Sequence, residues 1–397
     1  MNSQLAANAM RLVPVASRAD EKRFIEFPVS LYKKNEYWIR PLDQDIRAVF
    51  DPSLNKTFSH GDCQRWLLED EGRVVGRIAA FVKNTPDASD PKEAISGGIG
   101  FFECIDKQEA ADLLFDAAKA WISDRGATYM DGPVNFGRRD KWWGLLTKGF
   151  DQEPNYQCNF NFPYYKDLFE GYGFKTYYEQ YTFLKAVQEP LSPRLEEKAK
   201  RVTADPDYSF DHMHLSDIDR YGREIIEVYN KAWVKHEGVN TLSLEQGRAI
   251  MNQLKPIIDE KVIWVAYYKK EPVAIFVCIP EVNQILKHLN GKLDLIGKLK
   301  FLWHKKISQK KKLLGMVFGV VPEHQGKGVD GAIIHAMAEV LIPEKKYEIL
   351  EMSGIGDFNP KMILVVRQVG GKVNKVHTTY RYLFDRDQPF ERMKAIR

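Results

Sequence analysis

The sequence predicts an α+β fold in which a mixed sheet flanked by helices is built twice, in two tandem domains. Three observations support this prediction. The order strand, helix, β-hairpin, strand, helix, strand, helix, strand occurs once in each half of the chain. The hairpin and the final strand recur at an offset of about 197 residues. The length of 397 residues suits two domains, each of which can bury its own core.

The first half opens with a strand at 11–15 and a helical segment from Asp20 to Tyr32. A hairpin-like pair follows at 65–82. The next three predicted elements are the strand GGIGFFECI, the helix ADLLFDAAKAWISD and the strand TYMDGPVN. In GYGFKTYYEQYTFLK (171–185) a glycine ends a helix before an aromatic strand. We assign residues 1–187 to this domain.

The second half repeats this order. YSFDHMH (208–214) leads into a helix from Asp217 to Trp233, and the second hairpin lies at 262–279. The later elements are the strand LLGMVFGVV, the helix GAIIHAMAEVL, the strand YEILEMSGIG and the terminal strand at 369–384. Residues 208–397 form the second predicted domain. Residues 188–207, which are charged and contain proline, form the linker.

A glycine-rich turn in the second half is the strongest functional signal. An apolar strand ends at Val321, the turn Gln325–Gly331 follows, and an apolar helix runs from Ala332 to Ile342. A strand, a glycine loop and a helix N-terminus in this order form an anion site, because the backbone N–H groups there lack partners and the helix dipole favours negative charge.

Read literally, Gly326-x-Gly328-x-x-Gly331 is a dinucleotide fingerprint, with Glu348 or Glu351 at the distance of a ribose ligand. Three features argue against it. Residues 322–325 separate the strand from the first glycine, Pro343 is expected to end the helix early, and only about 65 residues remain for a doubly wound sheet.

The same stretch resembles the acyl-CoA loop of the GNAT acyltransferase superfamily. Its motif is Gln or Arg, two residues, Gly, one residue, then Gly or Ala. Gln325–Val329 fits the motif, and the approach Val320-Val321-Pro322 is typical of the family. The final small residue is Asp330 in this chain, and a carboxylate there would repel a diphosphate. Asp330 is instead expected to cap the helix, leaving Gly331 and Ala332 for the close approach. The repeated element order extends the resemblance over nearly the whole chain.

The resemblance implies where the donor, acetyl-CoA or a longer acyl-CoA, binds. The fourth and fifth strands of such a domain separate, and the fourth strand aligns the pantetheine arm and polarises the thioester. Asn359, in the turn after the fifth strand, is expected to contact that arm or to cap the next helix. The implied donor-binding residues are Gly319, Val320, Val321, Gln325, Gly326, Lys327, Gly328, Val329, Asp330, Gly331, Ala332 and Asn359.

The chemistry requires a base for the attacking amine and benefits from an acid near the departing sulfur. Glu351, on the fifth strand, is the predicted base. The helix MILVVRQVG lacks the tyrosine that the family often uses as the acid, so Tyr380 or Tyr382 on the final strand is the predicted replacement. No metal is predicted, because His60-Gly-Asp-Cys63 and His212-Met-His214 lack a second ligand pair.

Two segments are additions to the repeat. Residues 132–174 of the first half are rich in aromatic residues, and Arg138–Trp143 within them suits an anionic or planar group or packing between the domains. Residues 285–312 hold nine lysines and one acid, Asp294, with apolar residues at roughly helical spacing. This basic amphipathic segment is suited to an acidic partner such as an acyl-carrier protein, or to anionic lipid.

The composition describes a folded protein, with 44% hydrophobic and 28% charged residues. Four scattered cysteines indicate a reducing compartment, and the absence of an apolar run of spanning length or an export signal predicts a cytoplasmic protein. Residues 132–174 resemble loops of bacterial tandem GNAT proteins, and this resemblance implies a bacterial source. The net charge of +4 does not indicate nucleic-acid binding.

The first half lacks a glycine loop after its fourth strand, where Asp106–Glu109 stand instead. It is therefore expected to be degenerate, with the only donor site in the second half. The leading hypothesis is an N-acyltransferase that acts on a small-molecule or peptide amine. The alternatives are a non-catalytic scaffold of GNAT fold and a paired-GNAT aminoacyl transferase.

Overall fold

The computed structural model describes residues 10–84, 94–233, 241–308 and 311–396, and within these residues thirteen strands form one mixed sheet that runs through both halves. The elements of the N-terminal half, in chain order, are β1 (Arg11–Pro14), α1 (Arg18–Leu31), α2 (Asp43–Val49), β2 (Gly61–Asp70), β3 (Arg73–Asn84), β4 (Ile95–Cys104), α3 (Gln108–Ser123), β5 (Tyr129–Gly132), β6 (Leu145–Lys148), α4 (Tyr165–Tyr172) and β7 (Lys175–Ala186).

The C-terminal half repeats this order after a connecting helix. The elements are α5 (Pro193–Thr203), β8 (Tyr208–His212), α6 (Ile218–Trp233), α7 (Leu244–Leu254), β9 (Ile263–Tyr268), β10 (Glu271–Pro280), α8 (Asn283–Leu286), α9 (Leu295–Ile307), β11 (Lys312–Val320), α10 (Val329–Glu344), β12 (Ile349–Gly356), α11 (Pro360–Gln368) and β13 (Lys372–Leu383). The predicted α+β class and repeat are confirmed. Pro343 does not end α10 early, because it lies in the last turn of the helix, which continues to Glu344.

The two halves share strands at the centre of the sheet. The order is β1-β2-β3-β4-β5-β13-β7-β12-β11-β10-β9-β8, and β6 pairs with β13. Thus β7, the last strand of the first half, pairs with β12 of the second, and β13 crosses back to pair with β5. The sequence boundary at 187 lies just after β7, but the sheet has no boundary there, because each half is completed by a strand of the other.

Apolar side chains on the helices cover the sheet. On α3, residues three and four apart turn inward, so that one face of the helix packs on the first half of the sheet. In the second half α6 and α10 pack on the strands β9–β11. None of the helices in the described ranges has the length and apolar character required to cross a bilayer.

Candidate active site

The sheet opens between β11 and β12. These parallel strands pair from Lys312 with Ile349 to Gly315 with Met352 and no further. Beyond Gly315, β11 continues to Val320 paired only with β10, and β12 continues to Gly356 paired only with β7. Within the described residues the stretch Met316–Val320 therefore has one free edge. The separation of the fourth and fifth strands predicted for the second half is present.

A β-bulge marks the point at which the strands part. On β10, Val277 pairs with Val317 and Cys278 pairs with Gly315, so Met316 is the extra residue, and its side chain is exposed. Beyond the bulge the Val321 amide donates to the Val273 carbonyl at 2.9 Å. Because bonding alternates along an antiparallel pair, Gly319 also faces β10, whereas Val320 directs its amide towards the free edge. Of the three strand residues predicted to align a donor, Val320 is the one whose amide is free to do so.

The glycine loop follows directly. Gly326 and Gly328 have φ values of 75° and 88°, a region that glycine adopts without strain. Gln325 donates its side-chain amide to the Val320 carbonyl at 3.0 Å, which ties the loop to the end of the strand. In the described part of the chain no acceptor bonds the amides of residues 326–331, and residues 325–327 are exposed. Such an arrangement is typical of an anion-binding concavity at a helix N-terminus.

The start of α10 corrects two expectations. Its N-cap is Gly328, which forms no side-chain bond, so Asp330 lies inside the first turn and does not cap the helix. Of the pair Gly331 and Ala332, only the Gly331 amide is left available to a diphosphate. A Cβ on Gly331 would lie 2.8 Å from Leu195 of α5, and the Ala332 amide already donates to the Gly328 carbonyl at 3.0 Å. Gly331 therefore permits close packing of α10 on α5.

The equivalent opening in the first half is closed by the chain itself. Here β4 and β5 pair through Gly98 and Asp131, and the residues after β5 stay against β4, since the Val134 amide donates to the Ile99 carbonyl at 2.7 Å. A Cβ on Gly98 would lie 2.7 Å from the Val134 side chain. Phe136 and Trp142 complete this apolar cluster. The space that is free beside β11 is thus filled beside β4.

Glu351 lies in a buried ion network. One carboxylate oxygen lies 2.8 Å from Lys312 Nζ and 3.3 Å from Lys375 Nζ, and the other accepts from Asn374 at 2.9 Å. Burial raises the pKa of Glu351, but the two ammonium groups lower it by more, so the pKa lies below its ordinary value. A catalytic base must be accessible to the amine and must have an affinity for protons. Glu351 is only 1% exposed, so it is not accessible. This environment does not favour the predicted role.

Tyr380 lies in the core of the first half, and Asn359 caps a helix, which is one of its two predicted roles. Because β13 crosses into the first half, Tyr380 lies between Gly132 of β5 and Thr176 of β7, buried, with its hydroxyl 3.2 Å from a Glu170 oxygen. Its pKa is raised by burial. Tyr382 packs in the same cluster. Asn359 is the N-cap of α11 and accepts from the Met362 amide at 3.1 Å.

Two titratable residues beside the opening were not predicted as catalytic. Tyr181 on β7 pairs with Ile355, in the part of β12 that has left β11, and donates to Glu179 at 2.9 Å. Burial raises the pKa of Tyr181 to about 12. Asp357 follows β12 directly, and burial raises the pKa of its carboxyl as well. The strand exchange brings Tyr181 here, so nothing in the local sequence of β7 signals its position.

The aromatic segment of the first half reaches the same end of β12. The Arg139 guanidinium lies 4.6 Å from the ring centroid of Tyr178 and 5.2 Å from that of Phe358. Arg138 pairs with Asp140 at 2.7 Å. The contact of Arg139 with Phe358 is packing between the halves, one of the two roles predicted for Arg138–Trp143. No group of three or more His, Cys, Asp or Glu side chains in the described ranges is arranged to hold a metal ion.

Comparison with solved structures identifies the architecture. A tandem GNAT protein from the clavulanic acid biosynthesis pathway superposes over 96% of this chain and 100% of its own, with a TM-score of 0.52 at 12% identity. The chain has the tandem GNAT fold. A GCN5-related glucosamine N-acetyltransferase region of a fungal multidomain β-N-acetylglucosaminidase superposes with a TM-score of 0.55 at 13% identity. That match covers 95% of this chain and 38% of the longer fungal one.

The chain also has a relative in sequence. It is 26% identical over 376 residues to a bacterial ceramide synthase of Caulobacter vibrioides, covering 94% of this chain and 97% of the relative. No family model matches the chain. The alignment includes both halves of this chain.

Proposed function

We propose that this protein is an N-acyltransferase that takes its acyl group from a CoA thioester and acts in the C-terminal half. The observation that carries the proposal is the free edge of β11 leading into a loop of unbonded amides. An extended pantetheine arm can pair with that edge as an additional strand would, and a diphosphate is the natural ligand of the loop. The closed first half leaves one such site among the described residues.

The bound donor supplies an acyl group activated by a good leaving group. The chain's own residues would orient and polarise it. The amides at 326–331 hold the diphosphate, and the Val320 amide faces the carbonyl at the free edge. We assign Asp357 as the proton acceptor for the amine, because it lies at the open end of β12 and burial raises its pKa. We assign Tyr181 as the proton donor for the sulfur because it lies at the same end of β12, and its pKa of about 12 keeps the hydroxyl protonated at neutral pH.

The class of amine that accepts the acyl group is proposed from the similarity to the bacterial ceramide synthase. A ceramide is the N-acyl derivative of a long-chain amino alcohol, so a ceramide synthase joins an acyl group to an amine that carries a long apolar chain. Similarity along 94% of this chain supports the same class of acceptor here. Exposed Met316, at the point where the strands part, offers apolar surface to such a chain.

Calorimetric titration of the full chain with acetyl-CoA and with a long-chain acyl-CoA tests the proposal. We expect saturable binding of at least one donor, and release of free thiol when a long-chain amino alcohol is added. The isosteric variant Asp330→Asn is expected to bind about fivefold more tightly, because a carboxylate in the first helical turn repels the diphosphate. Failure of the wild type to bind either donor would refute the proposal and favour a non-catalytic scaffold.

Two tyrosine variants distinguish Tyr181, the proton donor proposed here, from Tyr380, the proton donor predicted from the sequence. Tyr181→Phe is expected to lower kcat by about a hundredfold, as loss of a general acid does. Tyr380→Phe is expected to leave kcat unchanged and to cost about 1 kcal/mol of stability through the lost bond to Glu170. Thiol release and urea unfolding measure the two effects. A fall in kcat for Tyr380→Phe alone would restore the prediction made from the sequence.

A further inference from the structure

Helix α9 presents its apolar face to solvent. Six large apolar side chains on this helix of 13 residues are each between 54% and 77% exposed: Leu295, Ile296, Leu299, Leu302, Trp303 and Ile307. At about 100° per residue they fall within one arc of about 140°. A surface helix of a globular protein normally turns such an arc towards the core. Here the orientation is reversed.

The opposite side of α9 attaches it to the protein. Gly297 is buried, and Phe301 packs on the cluster that contains Val282 and Leu286. The His304 ring stacks on His288 with centroids 4.0 Å apart. Asp294 caps the helix by accepting from the Gly297 amide at 2.8 Å. The outward direction of the apolar arc is therefore determined by packing on the body of the protein.

Lysines lie at both edges of the apolar arc and within it. Lys298, Lys300 and Lys306 are exposed, and within the described ranges none of them is in an ion pair. The helix itself contains no acidic residue. An acidic protein would pair with the lysines but would leave the broad apolar arc, with its tryptophan, in water. A bilayer with anionic head groups satisfies both, since it takes apolar side chains at the acyl boundary and attracts lysines at the head groups.

We infer that α9 lies in the plane of an anionic membrane surface and holds the acyl-transfer site against the bilayer from which a lipid amine is taken. This inference deepens the proposed function and rests on it. Lys312, the first residue of β11, is five positions after Ile307 in the numbering, and the bulge at Met316 is four positions farther along β11. At about 3.3 Å per residue the bulge lies roughly 13 Å along the strand from its start, within reach of a long-chain lipid.

Cosedimentation of the full chain with vesicles tests the inference, using phosphatidylcholine with and without phosphatidylglycerol. We expect binding to the anionic vesicles. The double variant Leu299→Ser/Trp303→Ser should weaken this binding at least tenfold. Lys298→Gln/Lys306→Gln should weaken it by roughly fivefold for each lysine and reduce its dependence on salt.

Matched controls use exposed residues elsewhere. Leu54→Ser removes an apolar side chain that is 67% exposed, and Lys33→Gln/Lys34→Gln removes two exposed charges, both in the N-terminal half. These controls should bind vesicles like the wild type. Equal loss in the controls and the α9 variants would overturn the inference. Binding to an acidic acyl-carrier protein without any vesicle binding would also overturn it.

Titration of acetyl-CoA without vesicles separates this inference from the proposed function. The α9 variants should bind acetyl-CoA like the wild type, because the substituted side chains lie on the exposed face of α9, which is attached through its other face to α8 and the cluster around Val282. A protein that binds the donor but no vesicle would refute the membrane surface alone. Vesicle binding without any donor binding would refute the acyl transfer and leave α9 as a membrane contact.

Discussion

Gly326→Trp is expected to weaken acyl-CoA binding at least a hundredfold while the protein remains folded. Gly326 is exposed, and a Cβ built on it meets nothing within 4 Å, so an indole would project into the space above the unbonded amides. Its φ of 75° costs a tryptophan about 1–2 kcal/mol, which a domain of this size tolerates. Charge-assisted bonds to a diphosphate would be lost together. Calorimetric titration measures the effect.

Two other glycines serve as comparisons for Gly326, because each has a similar positive φ and open space around its Cβ position. Gly72, in the β2–β3 turn, has a φ of 77°, and Gly354, on the free part of β12, has a φ of 75°, and each has nothing within 4 Å of its Cβ position. Gly72→Trp should carry the same strain and bind acyl-CoA normally. Gly354→Trp should block the arm and lower kcat while 3′,5′-ADP still binds. Equal donor affinity in Gly326→Trp and Gly72→Trp would contradict the assignment of the loop.

Glu351→Gln is expected to lower the free energy of unfolding by about 3–5 kcal/mol at neutral pH. The substitution removes the carboxylate charge that lies between Lys312 and Lys375 and leaves two ammonium groups without it. Breaking a buried ion pair from one side carries a cost of this order, because the remaining charge stays buried. Urea unfolding followed by circular dichroism measures the loss.

The matched control is Glu348→Gln, three residues earlier in the chain. Glu348 pairs with Lys311 at 2.6 Å but is 54% exposed, so its loss should change stability by less than about 0.5 kcal/mol. The two variants remove the same charge from the same kind of pair and differ in burial. Equal losses would show that Glu351 is not held as the structure indicates.

The pH dependence of the difference between wild type and Glu351→Gln has a defined sign. The pKa of Glu351 is lower in the folded protein than in the unfolded chain, so the ionised carboxylate stabilises the fold fully above about pH 4.5. The advantage of the wild type should shrink as the pH falls below that value towards the folded pKa. An advantage that grew on acidification would contradict the ion network.

Local patterns in the sequence predicted most of the elements. The hairpins at 65–82 and 262–279 follow from apolar strand runs on either side of a short polar turn, and the glycine loop follows from its position between a strand and a helix. These features depend on neighbouring residues alone. The insertion α9 was also visible, as apolar residues at helical spacing among lysines. Its outward orientation was not, because spacing defines an apolar face but not what that face meets.

The site was predicted less completely for a related reason. Glu351 and Tyr380 were chosen as strand residues of the second half, and the first proves to be enclosed by lysines while the second lies in the core of the first half. Asp330 and Gly331 were assigned by motif position, although Leu195, more than a hundred residues away in the chain, determines what Gly331 does. Each departure involves a partner distant in sequence.

The sequence alone determined the repeated α+β order, the single glycine loop and the basic amphipathic insertion, because these depend on side-chain periodicity and on backbone preferences over a few residues. The tertiary structure decided which strands are exchanged, that the first opening is closed by Val134 while the second is free, and that Tyr181 and not Tyr380 lies beside it. Strand pairing across the two halves is a contact between residues far apart in the chain, and it depends on how whole cores pack rather than on any local pattern.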